Sequence, residues 1–179
     1  HKPIQNFPEK GLIEEIKDRI IYEDDEILAI DKKHNLAVHG GSRVSIGLIE
    51  IVRNFGKDYR EAQLIHRLDK ATSGCIILAK NKQSTRLYNS FIRSNQIIKK
   101  YHCLVHGSWS KDLNNVKLSL QINKKKNLPK IIVSEDGKYS ETNFRLIKFN
   151  DYYSLLECSL ETGRTHQIRV HTSASGFPI

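Results

Sequence analysis

The stretch from His66 to Gly74 reads HRLDKATSG and sets one carboxylate, Asp69, between the cations Arg67 and Lys70. A carboxylate can attack the anomeric carbon of a sugar, and it needs a cation nearby to stay ionised and oriented once water is excluded. Arginine serves best, because its planar fork holds a carboxylate in fixed geometry. Tyr101 in KKYHCL and the arginines of GRTHQIR, Arg164 and Arg169, are the other groups that suit such a centre. On these residues alone HRLDKATSG also reads, more simply, as a surface turn with a structural ion pair.

Other chemistries find less support. His102 and His106 are four apart on a predicted strand, where even spacing only places both on one face, and His166 and His171 are five apart. HExxH and CxxC are absent, so neither a metal site nor a cofactor is expected. Ser73 could join Asp69 and a histidine in a triad, yet no GxSxG elbow presents it. HGGS and TSG lack the spacing of a Walker loop or a dinucleotide fingerprint.

The elements that must position these residues are legible from local pattern. RIIYEDDEILAIDKK holds two short apolar runs around Glu23, Asp24 and Asp25, which predicts strand, turn, strand. From Ser45, a candidate N-cap, Leu48, Val52 and Phe55 recur at helical spacing up to Gly56. CIILAK predicts a buried strand after HRLDKATSG, and Ser84 opens a helix with Leu87, Tyr88, Phe91 and Ile92 on one face. YHCLVHG, VKLSLQI, KIIVS, ETNFRLIKF and YYSLLECSL predict a mainly antiparallel sheet, so the expected class is α+β, a mixed sheet with flanking helices. The lysine cluster from Asn123 to Lys130 reads as a hairpin loop or a phosphate-contacting loop. At the end of the chain, Thr165 as N-cap with Gly176 and Pro178 as stops favours a helix, although alternation also allows a strand from Thr165 to His171.

At 179 residues the chain is expected to form one catalytic domain over 19–179, with 1–18 an N-terminal extension or linker. Cys75, Cys103 and Cys158 are odd in number and far apart, which predicts free thiols in a reducing, cytoplasmic setting. No apolar stretch reaches the ~20 residues of a membrane span, and no signal-peptide core is present. The net charge of +9 suits a nucleic-acid partner. Without a methionine the chain reads as a processed or trimmed piece, and it is expected to be a monomer.

HRLDKATSG resembles the signature of the RluA-type pseudouridine synthases, in which HRLD followed by TSG contains the catalytic aspartate. IYEDDEILAIDKKHNLAVHGGS, KKYHCLVHG, GKYSETNF and ETGRTHQIRVH follow in that family's order, so the resemblance runs from about Arg19 to Ile179. AVHGGS and TGRTHQIRVHT are worded most like the branch that modifies large-subunit ribosomal RNA. The resemblance implies the pseudouridine synthase fold, Asp69 as catalytic carboxylate, Arg169 as its cation partner and Tyr101 beneath the target base. It implies that His66, Arg67, Lys70, Thr72, Gly74, Arg164, Gln167 and Ile168 surround the substrate. Arg67 would fill the space vacated by an extruded uridine or hold the adjacent phosphate, and Ile168 would pack against the base or the core. Lys33, Tyr139 and Phe177 stand where the family usually has proline, proline and histidine, and the chain stops at GFPI where relatives continue, so a C-terminal segment is expected to be missing. A noncatalytic RNA-binding or ribosome-assembly protein that keeps the fold is the alternative. A hydrolase or RNA-cleaving enzyme that pairs Asp69 with a histidine is a third reading.

Overall fold

The computed structural model describes residues 7–41, 46–123 and 130–179. Its backbone divides into two compact units, His1–Gln96 and Ile97–Ile179. The first holds α1 (Lys10–Lys17), β1 (Ile20–Glu23), β2 (Ile27–Lys32), α2 (Leu48–Val52), β3 (Gln63–Leu64), β4 (Gly74–Ala79) and α3 (Lys82–Arg93). Its four strands form an antiparallel sheet in the order β1-β2-β4-β3.

The expected hairpin is present, and its acidic turn has a local cause. The Asp24 carboxylate accepts the backbone N–H groups of Glu26 at 2.8 Å and Ile27 at 2.7 Å, closing the turn from the side chain. Those bonds also hold the Asp24 carboxyl below the usual carboxylate range. Along β2, Leu28, Ile30 and Lys32 share one face by the period of two, and all three are fully buried.

Two helix starts differ from expectation. Asn81, not Ser84, caps α3: its side-chain oxygen accepts the Ser84 N–H at 2.9 Å and the Ser84 hydroxyl at 3.0 Å, so the helix begins at Lys82. The other helix is shorter than its apolar spacing suggested. Ser45 lies outside the described residues, α2 starts after Gly47, and beyond Val52 the chain tightens into i→i−3 bonds from Asn54 to Ile51 and from Phe55 to Val52, leaving Phe55 past the helix. The Glu50 carboxylate accepts N–H groups from both Gly47 (2.8 Å) and Gly40 (3.0 Å), which ties the AVHGG stretch to the helix start. Helix α1, within the stretch read as an extension, buries Ile16 completely.

The second unit holds β5 (Lys100–His106), β6 (Asn115–Asn123), β7 (Lys130–Val133), β8 (Lys138–Phe149), β9 (Tyr153–Leu160) and α4 (Gln167–Ala174). All five strands read from the sequence are present, antiparallel in the order β5-β9-β8-β6-β7. Asn123 pairs with Lys130 at the end of the β6–β7 ladder. Residues 124–129 between them, which include the lysines at 124–126, lie outside the described residues, and so does either reading of that loop. The core is Cys103, Val105, Trp109, Val116, Phe144, Leu156 and Cys158, with Tyr101, Ile168 and Phe177 packed against it.

The C-terminal segment is the expected helix, and its stop is explicit. The N–H of Gly176 (φ 89°) bonds to the Ser173 carbonyl at 3.1 Å, and that of Phe177 to Thr172 at 2.9 Å. This pair of bonds is the Schellman ending that a left-handed glycine permits. Phe177 then packs at a tilt on Trp109, ring centroids 5.0 Å apart, and the Pro178 carbonyl accepts the His106 N–H at 2.9 Å. The class is α+β with antiparallel pairing, its strands divided between two sheets. Among the described residues no helix is long and apolar enough to cross a membrane.

Candidate active site

HRLDKATSG is the loop that joins the neighbouring antiparallel strands β3 and β4. Its shape follows from where its apolar residues go. Ile65 (6% exposed) and Leu68 (5%) are driven into the core of the first unit, which turns Arg67 out to solvent and leaves Asp69 half-buried beside Leu68. The β3–β4 ladder ends at Leu64 opposite Leu78, so the next amide of β4, that of Ile77, needs another acceptor. His66 supplies it: its Nε2 accepts the Ile77 N–H at 2.9 Å, which places the neutral ring's proton on Nδ1.

After Asp69 the loop closes on itself and on a second segment. The Thr72 N–H bonds to the Asp69 carbonyl at 3.0 Å, forming a tight turn around Lys70 and Ala71. The Lys70 carbonyl accepts from the buried Lys32 ammonium at 3.2 Å, and the Ala71 carbonyl accepts from His34 Nδ1 at 2.8 Å. Gly74 ends the loop at φ 113°, where a side chain would be strained although nothing lies within 4 Å of a built Cβ. The structure thus gathers His66, Arg67, Asp69, Lys70, Thr72 and Gly74 on one anchored loop, with the Arg67 and Lys70 side chains exposed.

The remaining candidates belong to the second unit. Gln167 is 3% exposed, and its amide is fully used: Oε1 accepts the Thr162 hydroxyl (2.8 Å) and the Arg164 N–H (3.0 Å), while Nε2 donates to the Glu141 carbonyl (3.0 Å) and to Thr142 Oγ1 (2.9 Å). It holds the TGRTH turn in shape instead of presenting a free group. Arg164 donates from Nε to the Tyr139 carbonyl at 3.1 Å and is otherwise exposed. His166, at φ 53°, occupies the left-handed region just before α4, where Thr165 was the expected cap.

Tyr101 lies opposite Cys158 in the β5–β9 ladder, on the inward face with Cys103, and is partly buried. Ile168 packs against the same cluster. Arg169 is exposed, yet its charge reaches Cys103: the hydrogen bond from Cys158 (3.4 Å between sulfurs) lowers that thiol, burial opposes it, and the guanidinium adds to the lowering. Tyr101 and Ile168 therefore share the core cluster on which the charge of Arg169 also acts, with Gln167 and Arg164 fixing the turn before α4.

Sequence reading did not single out Lys32. A signal was available: Leu28, Ile30 and Lys32 alternate into one strand face, and a lysine at an inward position must find acceptors.

Residues 26–174 match the family model described as RNA pseudouridylate synthase. The chain belongs to the RNA pseudouridylate synthase family. Ribosomal large subunit pseudouridine synthase C of Pasteurella multocida (strain Pm70) is 39% identical over 180 residues, which span 100% of this chain and 55% of that protein. The protein of the same name from Escherichia coli (strain K12) is 41% identical over 165 residues, 92% of this chain and 52% of its own length. The chain therefore spans about half the length of these relatives. Human RNA Pseudouridylate Synthase Domain Containing 4 shares the fold at TM-score 0.80 with 23% identity, covering 94% of this chain and 69% of its own. Human RNA Pseudouridylate Synthase Domain Containing 1 does so at 0.75 with 24% identity, covering 96% and 69%.

Proposed function

We propose that the protein isomerises uridine to pseudouridine within large-subunit ribosomal RNA, with Asp69 as the catalytic carboxylate. The family match across residues 26–174, which contains the whole HRLDKATSG loop, carries this reading. The names of the relatives supply the substrate class. The net charge of +9 suits a polyanion whose binding weakens as salt rises.

The reaction breaks the bond from ribose C1′ to uracil N1, turns the base and joins C1′ to C5; the C5 proton leaves and N1 takes one up, so the composition is unchanged. No group passes to water. A glycosidase that hydrolyses its substrate uses a second carboxylate to activate water or to serve as acid, whereas an isomerisation needs no hydrolytic water. Asp69 either adds to C1′ as an ester or removes a C2′ proton to give a glycal, and both routes start from its ionised form. Arg169 serves as the cation partner of that carboxylate. Tyr101 stacks on the uracil, worth roughly 1–3 kcal/mol and tolerant of a ring that turns over.

The target uridine is extruded from its helix or loop to reach the carboxylate. Arg67 takes the vacated space or the adjacent phosphate, and Lys70 and Arg164 add phosphate contacts. His66, Thr72, Gly74, Gln167 and Ile168 act through the turns and packing they hold. The protein works as a cytoplasmic monomer.

Ribosomal RNA carrying C5-tritiated uridine tests the reading. Wild-type protein releases tritium, and Asp69→Asn releases none while binding the same RNA within a few-fold, because phosphate contacts dominate affinity. Binding without release by wild type would establish the noncatalytic alternative, and strand scission or free uracil would establish the hydrolytic one.

A further inference from the structure

Two of the chain's three thiols meet in the core of the second unit. The sulfurs of Cys103 on β5 and Cys158 on β9 lie 3.4 Å apart, in hydrogen-bond contact. The ladder puts them there. Cys103 is the register partner of Leu156 and Cys158 of Tyr101, so the cysteines are diagonal neighbours on the inward face of one antiparallel pair. A single buried cysteine reads as a small apolar residue and needs no further account. Two in contact can do what neither does alone, which is to give up two electrons and two protons and become joined.

The pair is asymmetric, and the asymmetry orders the steps. Cys158 is completely buried, whereas Cys103 is 9% exposed. The hydrogen bond from Cys158 lowers the Cys103 thiol, burial opposes that, and the exposed guanidinium of Arg169 adds to the lowering. The same bond and burial push the Cys158 thiol up. Cys103 is therefore the thiol that ionises first and that a small reagent reaches first, and Cys158 is the partner that follows. Cys75 belongs to the first unit, where burial raises its thiol.

We propose that Cys103 and Cys158 form a redox modification site, oxidised by a peroxide to an intramolecular disulfide and restored by thiols. The Cys103 thiolate attacks one oxygen of hydrogen peroxide, the O–O bond breaks, and the departing hydroxide takes up the thiol's proton as water, leaving a sulfenic acid. The Cys158 thiol attacks that sulfur, the S–S bond forms, and the sulfenic hydroxyl leaves with the Cys158 proton as a second water. The thiols lose two electrons and the peroxide gains them. Closing the bond brings the sulfurs from 3.4 Å to about 2.05 Å, a shift that β5 and β9 must absorb. Tyr101 sits directly opposite Cys158 and two residues before Cys103, so the shift falls on it. The effect on turnover rests on the proposed stacking of Tyr101 on uracil, and the disulfide itself on the geometry alone.

The test uses Cys75→Ser, which removes the exposed thiol of the first unit and leaves only the pair. Folded protein is treated with hydrogen peroxide, and remaining thiols are alkylated before unfolding. Both cysteines become inaccessible to alkylation, the protein loses the mass of two hydrogens, and digestion yields one peptide pair joined through Cys103 and Cys158. Dithiothreitol reverses all three changes. Single-turnover tritium release at saturating RNA falls about 10-fold in the oxidised protein and recovers on reduction. In Cys158→Ala, made in the same background, dimedone labels Cys103 and no disulfide forms.

Thiols that survive ~10-fold excess peroxide overturn the site, as does a Cys103 carried on to sulfinic acid beside a reduced Cys158, or a disulfide that joins two molecules. These outcomes are read in the Cys75→Ser protein itself, whether or not Cys158→Ala folds. A reversible disulfide with unchanged turnover overturns the link to Tyr101. If reduced protein releases no tritium, the proposed reaction fails, and the joined peptides alone decide whether the redox site exists.

Discussion

His171 supplies a quantitative test of how the second unit is built. It is completely buried on α4, and its Nε2 lies 2.8 Å from the Ser140 hydroxyl oxygen. That hydroxyl donates its own proton to the Leu118 carbonyl at 2.6 Å, so its oxygen accepts, and Nε2 carries the imidazole proton. Nδ1 has no hydrogen-bond partner among the described residues. Protonation would place a second N–H there without an acceptor and a charge where water does not reach. Burial accordingly pushes the imidazole down to about 4, from an ordinary value of 6.5.

The unfolded chain therefore takes up a proton on this residue before the folded one does. Stability from this group is fully present above pH 6.5, is lost as the pH falls toward 4, and amounts to about 3 kcal/mol in all. At pH 5 about 2 kcal/mol of it is gone. Urea unfolding of this unit can be followed through Trp109, the chain's one tryptophan, which sits in its core. The free-energy difference between wild type and His171→Gln, measured at pH 7.5 and pH 5, should shift against wild type by about 2 kcal/mol. Exposed carboxylates titrate alike in both proteins and cancel. A difference that stays constant within about 0.5 kcal/mol would refute the neutral, single-donor imidazole.

Three further outcomes are expected. Arg169→Ala removes an exposed guanidinium, so unfolding should change by less than about 0.5 kcal/mol while tritium release falls about 100-fold; full turnover would take Arg169 out of the reaction. Gly47→Ala would put a Cβ 2.4 Å from the His39 backbone, forcing α2 from the chain it packs on, and should cost roughly 1–3 kcal/mol in urea unfolding. Asn81→Ala deletes the acceptor for the Ser84 N–H and hydroxyl at the start of α3 and should cost about 1 kcal/mol, whereas Asn81→Asp should retain most of it.

Elements whose cause is local were readable from the chain. The β1–β2 hairpin carries its own Asx turn at Asp24, and α4 is stopped by Gly176 in the conformation a glycine permits. Four of the five strands of the second sheet, β5, β6, β8 and β9, carry a sequence alternation that the burial along them follows. What escaped notice depends on partners that the local pattern does not mark. Strand β3 is two residues long and exists only as a partner of β4, so no periodicity could mark it. Ser84 carried the polar signal of a helix start, but the acceptor three residues earlier decides the register. At the site, the motif residues were named in advance, whereas Lys32 was passed over because lysines are nearly always exposed and its acceptors come from its own loop and from one 38 residues away.

The pattern of hydrogen bonds around Asp69 bears on why so short a motif can serve so demanding a reaction. In the proposed isomerisation the protein has no hydrolytic water to activate, and its main task is to keep one carboxylate in one orientation while the uracil turns. The polar side chains that hold the loop act accordingly on the backbone: His66 on the Ile77 amide, Lys32 on the Lys70 carbonyl, His34 on the Ala71 carbonyl. None of these tethers falls on the Arg67 or Lys70 side chains, which remain exposed. On the proposed function, a loop built this way separates two requirements that would otherwise compete, rigidity coming from backbone tethers and affinity from exposed cations. Substitutions at Arg67 or Lys70 should therefore appear in RNA binding and its salt dependence, with urea unfolding left within about 0.5 kcal/mol of wild type.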